Sequence, residues 1–84
     1  MTKDFQRDFK KLGAKKCLTP EFIEVMYLLQ HSYPLPVEYR DHALSGNMDG
    51  FRDCHIFNDL VLIYKIDDDY LYLSRIGTHS QVFK

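Results

Sequence analysis

The apolar positions along the chain change rhythm twice. Phe5, Phe9 and Leu12 recur at i, i+4 and i+7, the spacing that lines one face of an α-helix, and Gly13 follows as a stop signal. Lys3, Arg7, Lys10 and Ala14 fall on another face at helical spacing, which predicts an amphipathic helix of about three turns. Thr19-Pro20-Glu21-Phe22 reads as the start of a second helix. Thr19 can accept from first-turn amides, and Pro20 suits the first helical position, where its missing N–H leaves nothing unsatisfied. Phe22, Val25, Met26 and Leu29 continue an apolar stripe to about His31. Ser32-Tyr33-Pro34-Leu35-Pro36 ends it, because each proline pushes the preceding residue into extended geometry. Residues 32–50 are therefore expected to form a long connection without regular structure, a kind of loop that is often functional.

From Phe51 onward the rhythm is that of strands. Residues 51–57 (FRDCHIF) lead into the turn residues Asn58-Asp59. Residues 60–66 (LVLIYKI) form a near-continuous apolar run, as in a central strand covered on both faces. Asp67-Asp68-Asp69 makes the next turn, residues 70–76 (YLYLSRI) the third strand, and the tail from Gly77 is expected to leave the sheet. Strands joined by tight turns predict an antiparallel meander. The fold class is α+β: two N-terminal helices packed on a three- to four-stranded antiparallel sheet. With 84 residues and no internal repeat, residues 1–84 are expected to make a single domain.

Charge alters this picture in one place. The net charge is −1, yet residues 1–16 carry six bases against two acids, while the remainder carries five bases against ten acids. A basic first helix on an acidic body reads either as a solvated face or as a strip that contacts nucleic-acid phosphates through counterion release. No apolar run approaches the ~18–20 residues of a membrane span. The start, MTKDFQRDFKK, lacks the apolar core of a secretory signal, so the expected location is the cytoplasm, with no membrane partner. Cys17 and Cys54 show no CxxC spacing and are expected to be free thiols. No pair of residues has zinc-ligand spacing, and no phosphate-cradling or nucleophile-elbow motif occurs, so no metal or cofactor is expected.

The remaining chemistry lies in the histidines. His42 follows Asp41 in the long connection, His55 lies in the first strand of the meander, and His79 lies just past the third strand. The end of strand three and the loop entering strand one share one end of such a sheet, which would bring His42 and His79 together. Histidine is the side chain best suited to move protons near neutral pH. His31, at a helix end, reads as a partner of the helix dipole.

The stretches Tyr39-Arg40-Asp41-His42-Ala43-Leu44-Ser45-Gly46, Phe51-Arg52-Asp53-Cys54-His55, Asp59-Leu60-Val61-Leu62-Ile63-Tyr64 and Arg75-Ile76-Gly77-Thr78-His79-Ser80-Gln81-Val82-Phe83 together resemble the YafQ branch of the RelE superfamily of bacterial toxins. The resemblance covers about residues 3–83. It implies a type II toxin–antitoxin toxin that cleaves messenger RNA in the ribosomal A site without a metal, silenced by a cognate antitoxin. By position it implies a catalytic set of His42, His55, Asp59, His79 and Phe83. His42 would be the base, His79 the acid, His55 and Asp59 orienting groups, and Phe83 a stacking platform. Arg75 is expected to neutralise phosphate, unless it simply pairs with a carboxylate, and Lys10, Lys11 and Lys15 to contact RNA. Two alternatives share the scaffold: a non-enzymatic inhibitor that poisons DNA gyrase, and an inactive interaction protein. The chain departs from the family pattern in having only Met1 and Thr2 before the first helix. The N-terminal strand of the family would then be missing or reduced to a stub, leaving a sheet edge open to a partner or to weak self-association.

Overall fold

A computed structural model describes residues 2–83, apart from the Cys17 side chain, so the thiol expectation at Cys17 lies outside what is described. Cys54 is free and fully buried. Helix α1 spans Lys3–Leu12, capped by the Thr2 hydroxyl, which accepts from the Phe5 amide. Its hinge is Gly13, at φ 86°, a left-handed value that glycine adopts without steric cost. A four-residue helix, α2 (Ala14–Cys17), follows where no element was expected. Helix α3 spans Pro20–Gln30, and the Thr19 hydroxyl accepts from the Phe22 amide as the sequence predicts.

The segment 32–50 corrects the expectation of an irregular loop. It holds 3₁₀ turns at Val37–Tyr39 and Gly46–Met48 and a two-residue strand, β1 (His42–Ala43). Too short to show any periodicity, β1 exists because strand β2 (Arg52–Phe57) offers it an edge: His42 pairs with Asp53 and Ala43 with Arg52. Strands β3 (Leu60–Asp67) and β4 (Tyr70–Gly77) complete a four-stranded antiparallel sheet in the order β1-β2-β3-β4. The tail is also more ordered than expected, closing with helix α4 (His79–Val82). The stub before α1 adds to the sheet edge: the Thr2 N–H donates to Leu73 O at 3.1 Å and its hydroxyl to Ser74 O at 2.7 Å.

Alternation along β2 divides the molecule. Cys54 and Ile56 join Leu62, Tyr64 and Ile76 on one face, where Phe5 of α1 and Phe22, Val25 and Leu29 of α3 cover them. Val61 and Ile63 of β3 face the other way, against Val82 of α4, with Leu44, Met48, Phe51 and Phe83 around them. This second cluster is small, and the polar residues of β2 lie beside it.

Candidate active site

The second face takes its chemistry from β1, β2, the β2–β3 turn and α4. The approach to His42 is fixed by the residue before it. The Asp41 carboxylate accepts from Arg52 Nε at 3.3 and 3.2 Å, from Arg52 Nη2 at 3.0 Å and from the Tyr64 hydroxyl. Burial, reinforced by that acceptor, pushes the Tyr64 hydroxyl well above the usual phenol range. Arg40, at φ 50°, turns the chain into β1 in the left-handed region, a strained position for a side-chain-bearing residue. A planar guanidinium gripping a carboxylate has little rotational freedom, so Asp41 anchors the backbone that delivers His42.

His42 Nδ1 lies 2.9 Å from Arg40 O and 3.0 Å from Asp53 Oδ1. A carbonyl and a carboxylate can only accept, so Nδ1 carries the hydrogen and the neutral ring presents its lone pair at Nε2. The imidazole is 56% exposed, whereas the Asp53 side chain is 2% exposed. Asp53 Oδ1 is off the line of the Nδ1–H and has no hydrogen bond, so the two interact through charge at close range. Burial raises the Asp53 carboxyl above its ordinary 3.8, against the pull of positive charge on His42, His55 and His79. One buried carboxylate thus lies within electrostatic reach of three imidazoles.

His55 is half-buried, two residues along β2 from Asp53 and on the same face, its ring stacked on that of His42 with centroids 6.5 Å apart. Asp59 sits in the β2–β3 turn after Asn58, which is left-handed at φ 48°. The Asp59 carboxylate accepts from the His79 backbone N–H at 3.5 Å, tying that turn to the start of α4. Thr78 caps α4 in a reciprocal pair with Gln81, at 3.3 Å and 3.0 Å. Gly77 makes room for it, since a Cβ there would lie 2.7 Å from Gln81 Oε1. Val82 plugs the small core, and the exposed ring of His79 lies 4.7 Å from that of Phe83, half-buried just past α4, at 45°.

The structure therefore brings His42 and His55 together beside Asp53, with His79 within electrostatic reach of that carboxylate and Asp59 and Phe83 adjoining His79. It does not bring the cations there. Arg75 is engaged by Asp8 of α1, through Nε to Oδ2 at 2.6 Å and Nη2 to Oδ1 at 3.3 Å, the carboxylate pairing that was its alternative reading. Asp8 also accepts from the Ile76 N–H at 3.2 Å. Burial alone would raise the Asp8 carboxyl, but these hydrogen bonds and the charges of Arg75 and Arg7 prevail and hold it below 3.8. Lys10, Lys11 and Lys15 are exposed along α1 and α2. Asp53, and the grip of Arg52 and Tyr64 on Asp41, were not singled out from sequence. The signal for Asp53 was available: a carboxylate at period-two spacing from His55, inside a strand that is otherwise buried.

A sheet carrying histidines on one face and helices on the other, closed by a short C-terminal helix, is the architecture of a RelE-like toxin. The family model for the bacterial toxin of the type II toxin–antitoxin system, YafQ, matches residues 1–84, and the chain belongs to that family. Among curated proteins, the mRNA interferase toxin YafQ of Escherichia coli K12 is 45% identical over 56 residues, covering 67% of this chain and 61% of that protein. A copper-bound mutant toxin from Helicobacter pylori superimposes with a TM-score of 0.89 at 41% identity, covering 98% of this chain and 93% of that one. The toxin of the E. coli DinJ–YafQ complex gives a TM-score of 0.79 at 37% identity, covering 99% and 93%.

Proposed function

We propose that the protein is a ribosome-dependent endoribonuclease that cuts messenger RNA by general acid–base catalysis. The observation that carries this reading is the pairing of His42 and His55 beside the buried Asp53, with His79 on α4, which packs on the same face and is tied to the β2–β3 turn by Asp59. His42 takes the 2′-hydroxyl proton on Nε2, the nitrogen left with a lone pair by the contacts of Nδ1. The 2′-oxygen attacks the adjacent phosphorus as the bond to the 5′-oxygen breaks. His79, as imidazolium, gives its proton to that leaving oxygen. The products are a 2′,3′-cyclic phosphate, which hydrolyses to a 3′-phosphate, and a 5′-hydroxyl.

Asp53 favours the imidazolium that forms on His42, and its burial makes that attraction stronger than it would be in water. His55, stacked on His42, orients that ring beside the phosphate. Asp59 fixes the start of α4 and with it His79. Phe83, beside His79, offers a face on which a base can stack. Lys10, Lys11 and Lys15 on the basic strip contact RNA phosphates. Arg75 serves in RNA binding from its place beside α1. The bond-making steps use only side chains, so the reaction proceeds in chelator.

The mRNA interferase name of the E. coli relative supports this reading. The DinJ–YafQ assembly of E. coli supports a cognate antitoxin as partner, tested by co-purification with the product of the neighbouring reading frame. The test of the chemistry is cleavage of message on programmed ribosomes. Wild type is expected to cut within the A-site codon, and the His42→Ala, His79→Ala double variant to leave the message intact. Equal cutting by the two proteins would refute the proposal.

A further inference from the structure

Two cavities share a wall at Leu12, at the end of α1. The first, of about 250 Å³, is a notch between α1 and β4. Arg7 and Lys11 stand one helical turn apart on its rim, and Arg75 and Asp8 meet inside it. Arg75 is not free to swing: Asp8 holds it from one side, and Nη2 also donates to Gln81 O at 3.4 Å. The notch is thus lined by three cations and one carboxylate, with a second carboxylate, Asp4, 3.3 Å from Arg7 Nη2 outside it, a balance that stays positive. It stays so on a chain whose residues beyond 16 carry twice as many acids as bases. Its shape and charge suit a phosphate, and an oriented guanidinium is a good donor to one.

The second cavity, of about 220 Å³, is bounded by Leu12, Phe57 and Leu60, with Asn58, Asp59 and Lys16 at its mouth. Apolar and aromatic walls with a few polar groups at the rim are the composition that accepts a planar heterocycle. Asp59 also receives the His79 N–H, so this cavity adjoins the histidine cluster directly. Asp59 thus links the apolar cavity to His79, and Leu12 links it to the basic notch.

We propose that the two cavities form one nucleotide subsite, with a base in the Phe57–Leu60 cavity and its phosphate in the Arg7–Lys11–Arg75 notch. The ligand class is a nucleotide of single-stranded RNA. The role given to it, holding the residue that flanks the cleaved bond, rests on the endonuclease reading, whereas the binding itself does not. The basic face of α1 then has a specific task beyond general attraction: it seats one phosphate at a set distance from His79. Arg75, displaced from the histidines, takes part through this notch.

The experiment is a titration of ¹⁵N-labelled protein with inorganic phosphate, with nucleosides, and with the four nucleoside 5′-monophosphates, followed by NMR. Phosphate is expected to shift Arg75 Nε–H and the Gln81 amide. At least one monophosphate should shift these and also the amides of Asn58, Asp59 and Leu60. It should bind about tenfold or more tightly than its nucleoside or phosphate alone, because the two halves are joined. The Arg7→Ala, Lys11→Ala double variant, altered at two exposed positions, should keep its fold and lose that advantage. The His42→Ala, His79→Ala protein should bind the nucleotide as wild type does, so a failure of the cleavage reading leaves this result readable. Monophosphates that shift neither cavity, or only the notch, would overturn the proposal. So would unchanged affinity in the Arg7→Ala, Lys11→Ala protein.

Discussion

The two faces of the sheet use the same strands for opposite ends. On the helix-covered face, Phe5, Phe22, Val25 and Leu29 seal Cys54, Ile56, Leu62 and Tyr64 in a continuous apolar layer. On the other, Val61, Ile63 and Val82 make only a small patch, and beside it β2 places a buried carboxylate and a half-buried imidazole. An apolar residue at 53 would cost less to bury than a carboxylate whose oxygen lacks a hydrogen bond. The second face therefore gives up stability that the first face supplies. The comparison teaches that substitutions should separate cleanly, with stability lost on one face and activity on the other.

The sharpest way to break that division is to remove a large side chain from the first face. Phe5→Ala should lower unfolding free energy by about 3–5 kcal/mol, read by chemical denaturation, since Phe5 is 2% exposed at the centre of the layer. Such a loss is a large part of the stability of a small domain. His42→Ala, on the second face, should leave stability within about 0.5 kcal/mol, because the ring is mostly exposed. The same change should slow single-turnover cleavage by about 10²–10⁴-fold.

Asp53→Asn sharpens the comparison further. Asn keeps an acceptor near His42 and removes the buried charge, so the midpoint of unfolding should hold or rise. Cleavage should fall on the order of 100-fold, because the imidazolium that forms on His42 in the reaction loses its counter-charge. A variant that loses stability and keeps activity would mean that Asp53 belongs to the core and not to the site.

The smallest effect concerns Asp8. Its carboxyl is held below the ordinary 3.8 in the folded state, so the folded protein binds fewer protons than the unfolded chain just below that pH. The stability it contributes is present above 3.8 and is lost as pH falls through its folded value. Asp8→Asn should cost about 1 kcal/mol at neutral pH and reduce the steepness of acid unfolding. The difference from wild type should close once Asp8 itself is protonated.

Much of the helix-covered face could be read from the sequence, because its signals are periodic. The i, i+4, i+7 run of Phe5, Phe9 and Leu12, the Thr19-Pro20 start and the three strands bounded by Asn58-Asp59 and Asp67–Asp69 each stand within about two residues of the observed elements. The second face was harder, because its order comes from partners distant in sequence. Two residues of β1 are a strand only because Asp53 and Arg52 lie opposite them. Helix α4 depends on a glycine with no room for a Cβ and on a capping pair that spans four residues. The three histidines at 42, 55 and 79 stand out by their places at element ends and in the first strand, whereas the full set with Asp59 and Phe83 comes from the family resemblance. Period-two spacing puts Asp53 on the face of His55 but does not show that it is buried. The choice of partner for Arg75 depended on where α1 docks, and Asp8 gives no sign of that in the sequence.

The chemistry assigned to the second face leaves its signature in the ends of the RNA. Wild-type protein, programmed ribosomes and an end-labelled message should yield upstream fragments ending in 2′,3′-cyclic phosphate or 3′-phosphate, and downstream fragments beginning with 5′-hydroxyl. Upstream fragments ending in 3′-hydroxyl, with 5′-phosphate on the downstream piece, would mean that water and not the 2′-oxygen attacks, and would contradict the roles given to His42 and His79.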